Sequence, residues 1–179
     1  MKQLNLPLET TNLVIKPLTA YELQLYKIND GQLEHALGAQ YHPRNVPFEL
    51  YDALEQEIIP NVEVNKDAFL FYTLWSIYHK DLYCLVGDIC FKGTVDEEGQ
   101  IEIGYGTYPD FQGKGIMKEA IGLILEWAFS QEGVKRVLAE TEHDNIPSHS
   151  VLKSNGFLPH ENLYTTMWYL DKNSFKKRQ

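Results

Sequence analysis

The sequence predicts an α+β fold, a mixed and mostly antiparallel sheet of about seven strands flanked by helices. Three features carry that expectation. Aromatic and β-branched residues fill runs in the middle of the chain, separated by turns, as in an antiparallel meander. Helical patterns precede it. After it, a Gly-rich turn opens a long amphipathic segment, and strand and helix patterns then alternate to the end.

Taken in order, residues 12–18 (NLVIKPL) read as a short strand. Thr19 follows as an N-cap, and Glu22 completes a capping box. The helix runs over 20–28 and stops at Asn29-Asp30-Gly31. A second short helix is expected over 32–40, broken by His42-Pro43-Arg44-Asn45. Residues 47–59 form a helix with proline in its first turn, closed by Pro60. Strands at 68–78 (AFLFYTLWSIY) and 82–91 (LYCLVGDICF) pair around His79-Lys80-Asp81. A turn at Asp96-Glu97-Glu98-Gly99 leads into a third strand, 100–107. There Ile101, Ile103 and Tyr105 share one face, and Glu102, Gly104 and Gly106 the other. The turn Tyr108-Pro109-Asp110-Phe111-Gln112-Gly113-Lys114-Gly115 opens a helix whose Met117, Ala120, Ile121, Ile124 and Ala128 form an apolar stripe. Trp127, at helical spacing from Ile124, belongs to the core; His42, Trp75 and Trp168 are left between pocket and core. Gly133 ends that segment. A strand at 134–141 and a helix at 145–155 follow, with Gly156 as its C′ residue. Residues 157–158 and 165–171 are closing strands around a turn near Glu161-Asn162, and 172–179 a frayed basic tail. No repeat or linker interrupts the chain, so one domain is expected over 1–179.

Hydrophobic residues make up 44% and charged residues 23%, enough to build a core. The net charge of −9 argues against a nucleic-acid partner. It is compatible with a cationic amine, but charge kept for solubility alone is the favoured reading. Cys84 and Cys90, six residues apart on one strand, should share a face as free thiols. No Cys or His spacing suggests a metal site. The opening MKQLNLPLETTNL has no apolar core of a signal peptide, and no apolar run approaches ~18 residues. No membrane partner and a cytoplasmic location are the expectation, with a homodimer left open.

The strongest chemical signal is the strand-turn-helix over 104–122. A Gly-rich turn entering a helix leaves backbone N–H groups unpaired and aimed at one point, where the helix dipole adds positive charge. Such a place binds phosphate or pyrophosphate. A P-loop needs Lys then Ser or Thr after its last glycine, but Ile116 follows Gly115. A Rossmann turn needs a third glycine where Lys118 stands, and a parallel sheet. What Gln112-Gly113-Lys114-Gly115-Ile116-Met117 resembles is the pyrophosphate loop of the GNAT superfamily of N-acetyltransferases, Q/R-x-x-G-x-G/A, with Met117 in place of the small last residue. A second stretch, Asn145-x-x-Ser148 through Leu152 to Gly156-Phe157, is similar to the family's next motif, with Lys153 one place early. Together the two cover roughly the last 110 residues.

The resemblance implies a GNAT fold, with acetyl-CoA as cosubstrate and a small-molecule or peptide amine as acceptor, attacked directly in a ternary complex. It implies that strands 101–107 and 134–141 splay apart, with a bulge in the first, so that Tyr105, Gly106 and Thr107 face the thioester. Gln112, Gly113, Lys114, Gly115, Ile116, Met117 and Lys118 would hold the pyrophosphate, and Asn145 and Ser148 the pantetheine arm. The base that takes the amine proton is expected at Glu140 first and Glu102 second. The family's usual acid, a tyrosine seven residues after the Asn, is Leu152 here. Tyr164 or Ser148 substitutes, or the thiolate, from a thiol of pKa ~8.5, leaves unassisted. Lack of that tyrosine and a long helical insert before the meander resemble the ribosomal-protein-alanine acetyltransferase (RimJ/RimL-type) branch. The competing readings are a non-catalytic acyl-CoA-binding module of the same fold and a phosphate-loop protein for another nucleotide.

Overall fold

Aromatic and β-branched runs do form the centre of a sheet in the computed structural model, which describes residues 5–176. The strands are β1 (Leu8–Glu9), β2 (Leu13–Pro17), β3 (Leu74–His79), β4 (Cys84–Phe91), β5 (Gln100–Thr107), β6 (Arg136–Glu142), β7 (Leu158–Glu161) and β8 (Thr165–Asp171). They make one eight-stranded sheet in the order β1-β2-β3-β4-β5-β6-β8-β7. Only β5 and β6 pair in parallel; the other neighbours are antiparallel. The helices are α1 (Ala20–Ile28), α2 (Gln32–Ala36), α3 (Phe48–Ala53), α4 (Ile59–Val64), α5 (Ile116–Ser130), α6 (Ile146–Ser154) and α7 (Lys172–Lys176). Among the described residues, no helix is long and apolar enough to cross a membrane.

Alternation along the strands decides which helix covers which face. Phe91 of β4 and its register partner Ile103 of β5 lie on the side of α5, where Phe91 meets Trp127 at 5.2 Å. Trp75 packs on the same Trp127 at 4.8 Å. Trp75, Trp127 and Trp168 are all buried, so the tryptophans are core. Asp88 of β4 points the other way and meets Tyr26 of α1. Helix α1 begins as expected, with the Thr19–Glu22 capping box formed in both directions.

Five expectations give way to local physics. Residues 66–71 are a 3₁₀ helix rather than the start of a strand. Their aromatics pack as a cluster, Phe71 on Trp127 at 5.3 Å, and the strand starts only at Leu74. Pro60 does not close the helix before it. A π turn at Leu54–Ile58, with Ile59 N–H donating to the Leu54 carbonyl, lets α4 continue through the proline. The wider turn takes up the clash and the missing N–H that proline brings. The register of β3 and β4 shifts between Ile77 and Tyr78, leaving Val86 as an extra residue in β4. That bulge reverses the alternation, so Cys84 and Cys90 lie on opposite faces, as do their partners His79 and Leu74. The closing strand expected at 157–158 is β7, with Phe157 buried before it, and the sheet gains β1. The tail forms the short helix α7; its last three residues lie outside the described ones.

Under α1 and α2 lies a buried ion pair. Arg44 and Glu34 pair with side chains 0% and 2% exposed. The guanidinium stacks over the Tyr26 ring at 4.5 Å and donates to the Tyr26 carbonyl at 3.3 Å. Its flat fork suits this combined stacking and pairing as a lysine would not. Arg44→Met should therefore strand the Glu34 charge and cost about 3–5 kcal/mol in urea unfolding, and adding Glu34→Met should recover much of that loss.

Candidate active site

The central pair of strands is complete only at one end. β5 and β6 pair from Gln100–Arg136 to Ile103–Ala139 and then part. β5 continues against β4 as far as Thr107–Gly87, while β6 continues against β8 as far as Glu142–Thr165. The splay is as expected, but β5 itself keeps an unbroken register with β4; the bulge lies one strand over, at Val86. From Gly104 to Thr107 the β6-facing edge of β5 has no strand beside it. A cleft of about 610 Å3 opens there, walled by the start of α5 and by α6.

The loop at its mouth is held by short local contacts. Phe111 is buried and its N–H donates to the Tyr108 carbonyl. Gln112 Nε2 donates to the Thr107 carbonyl at 3.2 Å, and Lys114 Nζ lies 5.5 Å over the Phe111 ring. Gly113 and Gly115 take φ of 73° and 78°, a region that favours glycine. Gly115 is the N-cap of α5, so the amides of Ile116, Met117 and Lys118 have no partner within the helix. Unpaired donors, the positive helix end and nearby lysines fit a pyrophosphate. Met117 is buried, and its side-chain end reaches the space a Cβ on Gly87 would need, 3.3 Å away. The larger residue at the loop's sixth place is thus absorbed by a missing side chain on β4.

On the opposite wall, Asn145 caps α6 by accepting from the Ser148 N–H at 3.2 Å. Asn155 Nδ2 ties this helix to the Lys118 carbonyl of α5 at 3.2 Å. Tyr105 crosses from β5 and donates its hydroxyl to the Ser148 carbonyl at 3.3 Å. Burial pushes this phenol up to about 12, so it keeps its proton near neutrality. Leu152, one turn beyond Ser148, is fully buried.

Tyr105, Gly106, Thr107, Gln112, Gly113, Lys114, Gly115, Ile116, Met117, Lys118, Asn145 and Ser148 all line this one cleft. So do Phe111, Pro147, Ser150, Val151 and Ser154, which the motifs did not single out. Helical spacing from Ser148 would have found Val151. The remaining candidates lie elsewhere. Glu102 is the register partner of Leu138, and Leu138 alternates with Glu140, so both carboxylates are on the sheet face away from α6. Glu102 pairs with Lys92, and Thr165 Oγ1 donates to Glu140 at 2.6 Å. Burial opposes the Lys92 charge, yet Glu102 and then Glu140 hold its pKa above the usual lysine range. Tyr164 is 78% exposed in the β7–β8 turn, outside the cleft. His42 lies beneath the loop, 3.4 Å from Asp110 and with its ring 4.9 Å from Phe111.

Comparison with known proteins agrees with this geometry. A family model described as acetyltransferase (GNAT) domain matches residues 12–158. YjdG of Bacillus subtilis (strain 168), an uncharacterised N-acetyltransferase, is 32% identical over 153 residues, 84% of this chain and 89% of the relative. The ribosomal-protein-S5-alanine acetyltransferase of Vibrio fischeri has a TM-score of 0.68 at 17% identity, covering 96% of this chain and 99% of that one. The spermidine N-acetyltransferase of Vibrio cholerae, solved with CoA and spermine, has a TM-score of 0.66 at 14% identity, covering 93% and 99%. With the matched stretch running from β2 into β7, across the parted strands, the Gly-rich loop and both cleft helices, the chain belongs to the GNAT acetyltransferase family.

Proposed function

We propose that the protein binds acetyl-CoA in the β5–α6 cleft and transfers its acetyl group to a primary amine, a protein N-terminus or a small-molecule amine, by direct attack in a ternary complex. The observation that carries this reading is the parting of β5 from β6 beside the Gly113–Gly115 turn. Acetyl-CoA supplies an activated thioester. The amides at 116–118 and Lys114 hold the pyrophosphate, Asn145 and Ser148 border the pantetheine arm, and the free edge at 104–107 offers backbone donors to the carbonyl oxygen. Tyr105, by turning its one hydroxyl proton away from the Ser148 carbonyl, is the donor for the departing sulfur, with Ser148 beside it. A phenol near 12 serves as a hydrogen-bond donor and keeps its proton against a thiolate of pKa ~8.5.

The amine arrives from the opposite face, where Gly104 and Gly106 leave the strand bare. Glu102 and Glu140 give that face negative charge, which suits an ammonium group before it loses its proton. We place the activity in the cytoplasm, in keeping with Cys84 and Cys90 as free thiols. A second reading, an acyl-CoA-binding module without turnover, draws on the buried Leu152 at the usual acid position.

Two measurements test the proposal. At ~100 times its dissociation constant, acetyl-CoA should add about 2.7 kcal/mol and raise the unfolding midpoint by a few degrees. Gly115→Asp, which sets a carboxylate where the phosphates belong, should abolish that rise. In steady-state assays, Glu140→Gln and Glu102→Gln should each raise the acceptor KM roughly tenfold while the acetyl-CoA midpoint shift stays the same. A fall in kcat of ~100-fold or more would instead make the altered residue the base.

A further inference from the structure

The face that receives the amine holds a buried acid with no role so far. Asp88 lies in the middle of β4, 8% exposed, directly opposite Gly106 of β5. Opposed residues in an antiparallel pair carry their side chains on the same face, with Cβ positions roughly 5 Å apart. Gly106 has no side chain, and a Cβ built on it would meet nothing within 4 Å. The space over Gly106 is therefore open, and Asp88 is its neighbour across the β4–β5 pair, with no Asp88 atom within 4 Å of where that Cβ would stand. The free edge of β5 that faces the cofactor cleft is the backbone of this same residue and its neighbours.

The surroundings of Asp88 suit a working carboxylate. Tyr26 of α1 donates to Oδ2 at 2.8 Å and Ser76 of β3 to Oδ1 at 3.0 Å. Tyr108, just beyond β5, places a third hydroxyl beside it, and Arg44, paired with Glu34, and Cys90 complete the polar and titratable groups around it. A carboxylate has about four acceptor positions, so the Tyr26 and Ser76 hydroxyls leave about two for further donors. Burial pushes the Asp88 carboxyl above the usual range, while the hydroxyls and Arg44 pull the other way. A raised carboxyl is a stronger base near neutrality.

We propose that Asp88 is the general base of acetyl transfer, taking the N–H proton of the amine as it crosses Gly106. This rests on the acetyltransferase reading above. As the C–N bond forms, the N–H bond breaks and its proton moves to Asp88. The C–S bond then breaks with its electron pair left on sulfur, where Tyr105 donates a hydrogen bond. The proton on Asp88 passes to solvent after the amide leaves, and the thiolate is protonated from solvent. The sequence-expected carboxylates are less well placed. Glu102 lies four residues back along β5, roughly 13 Å from Gly106, and is paired with Lys92. Glu140 stands on β6 beyond the parting, held by Thr165.

The test uses the intact chain with acetyl-CoA and two probe acceptors, an alanine-initiated peptide and spermine. Asp88→Asn keeps the size of the side chain. It should lower kcat about 10²–10⁴-fold, leave the acetyl-CoA midpoint shift in place, and remove the ascending limb of kcat/KM against pH. Tyr26→Phe provides a reading that does not depend on that variant. Losing a donor to the charged form raises the Asp88 pKa, so the limb should move to higher pH. A folded Asp88→Asn within about threefold of wild-type kcat, or a Tyr26→Phe limb that stays put, overturns the assignment and leaves the acetyltransferase reading intact. Wild-type protein that binds acetyl-CoA and acetylates neither probe overturns that reading, and the base falls with it.

Discussion

A strand inside a sheet that loses its neighbour halfway along is left with backbone donors and acceptors facing a gap. Buried groups of that kind are almost always paired. In this chain the gap begins after Ile103–Ala139, and everything around it is arranged about that parting. The outer strands do not close it, because β4 and β8 stay with their own partners to the ends of β5 and β6. Helix α6 stands across the opening and α5 starts at its mouth, joined by Asn155 to the Lys118 carbonyl. The edge left bare has the length and polarity that an extended ligand with amide groups and phosphates would match.

The sequence was most legible where one residue type answers one local demand. The Thr19–Glu22 box, the Gly113 and Gly115 turn and the Asn145 cap are of this kind, since each is decided within a few residues. The Gly-rich loop at the cleft's mouth could be read for the same reason: it and the start of α5 are contiguous in the chain. Features set by distant neighbours were hidden. Nothing local marks Val86 as a bulge, yet it turns Cys84 and Cys90 to opposite faces. The aromatic run at 68–78 mimics a strand, and only packing on Trp127 shows that its first part is a 3₁₀ turn. Pro60 reads as a stop until a π turn is seen to accommodate it. The cluster of Tyr26, Arg44, Ser76, Asp88 and Tyr108 gathers residues from five places, and no spacing could have signalled it.

Two features that look like departures from the family pattern have compensations elsewhere. Met117 replaces a small residue, and Gly87 on the neighbouring strand leaves the room it takes. A Cβ on Gly87 would also lie 2.5 Å from the Gly106 carbonyl, so the same glycine allows β4 and β5 to approach at the bare strand. Leu152 replaces a tyrosine, and Tyr105 brings a hydroxyl to the same wall from the strand instead. Each departure is intelligible only together with its partner, which is why judging motif positions one at a time understates the fit.

The three residues Gly104-Tyr105-Gly106 give the two faces of one strand opposite character. Alternation sends Tyr105 toward α6, and turns the positions of both glycines to the other face. Side chains there would crowd that face; even a Cβ on Gly104 would come within 3.2 Å of Cys90 Sγ. The strand is thus bulky on the face toward α6 and bare on the other, with its backbone between the two. On the bare face, the first side chain beside Gly106 on β4 is Asp88. A buried carboxylate is costly to keep in a sheet unless it is hydrogen-bonded, and here each oxygen has a donor. Tyr26 and Ser76 thus offset part of the cost of burying that carboxyl across from Gly106.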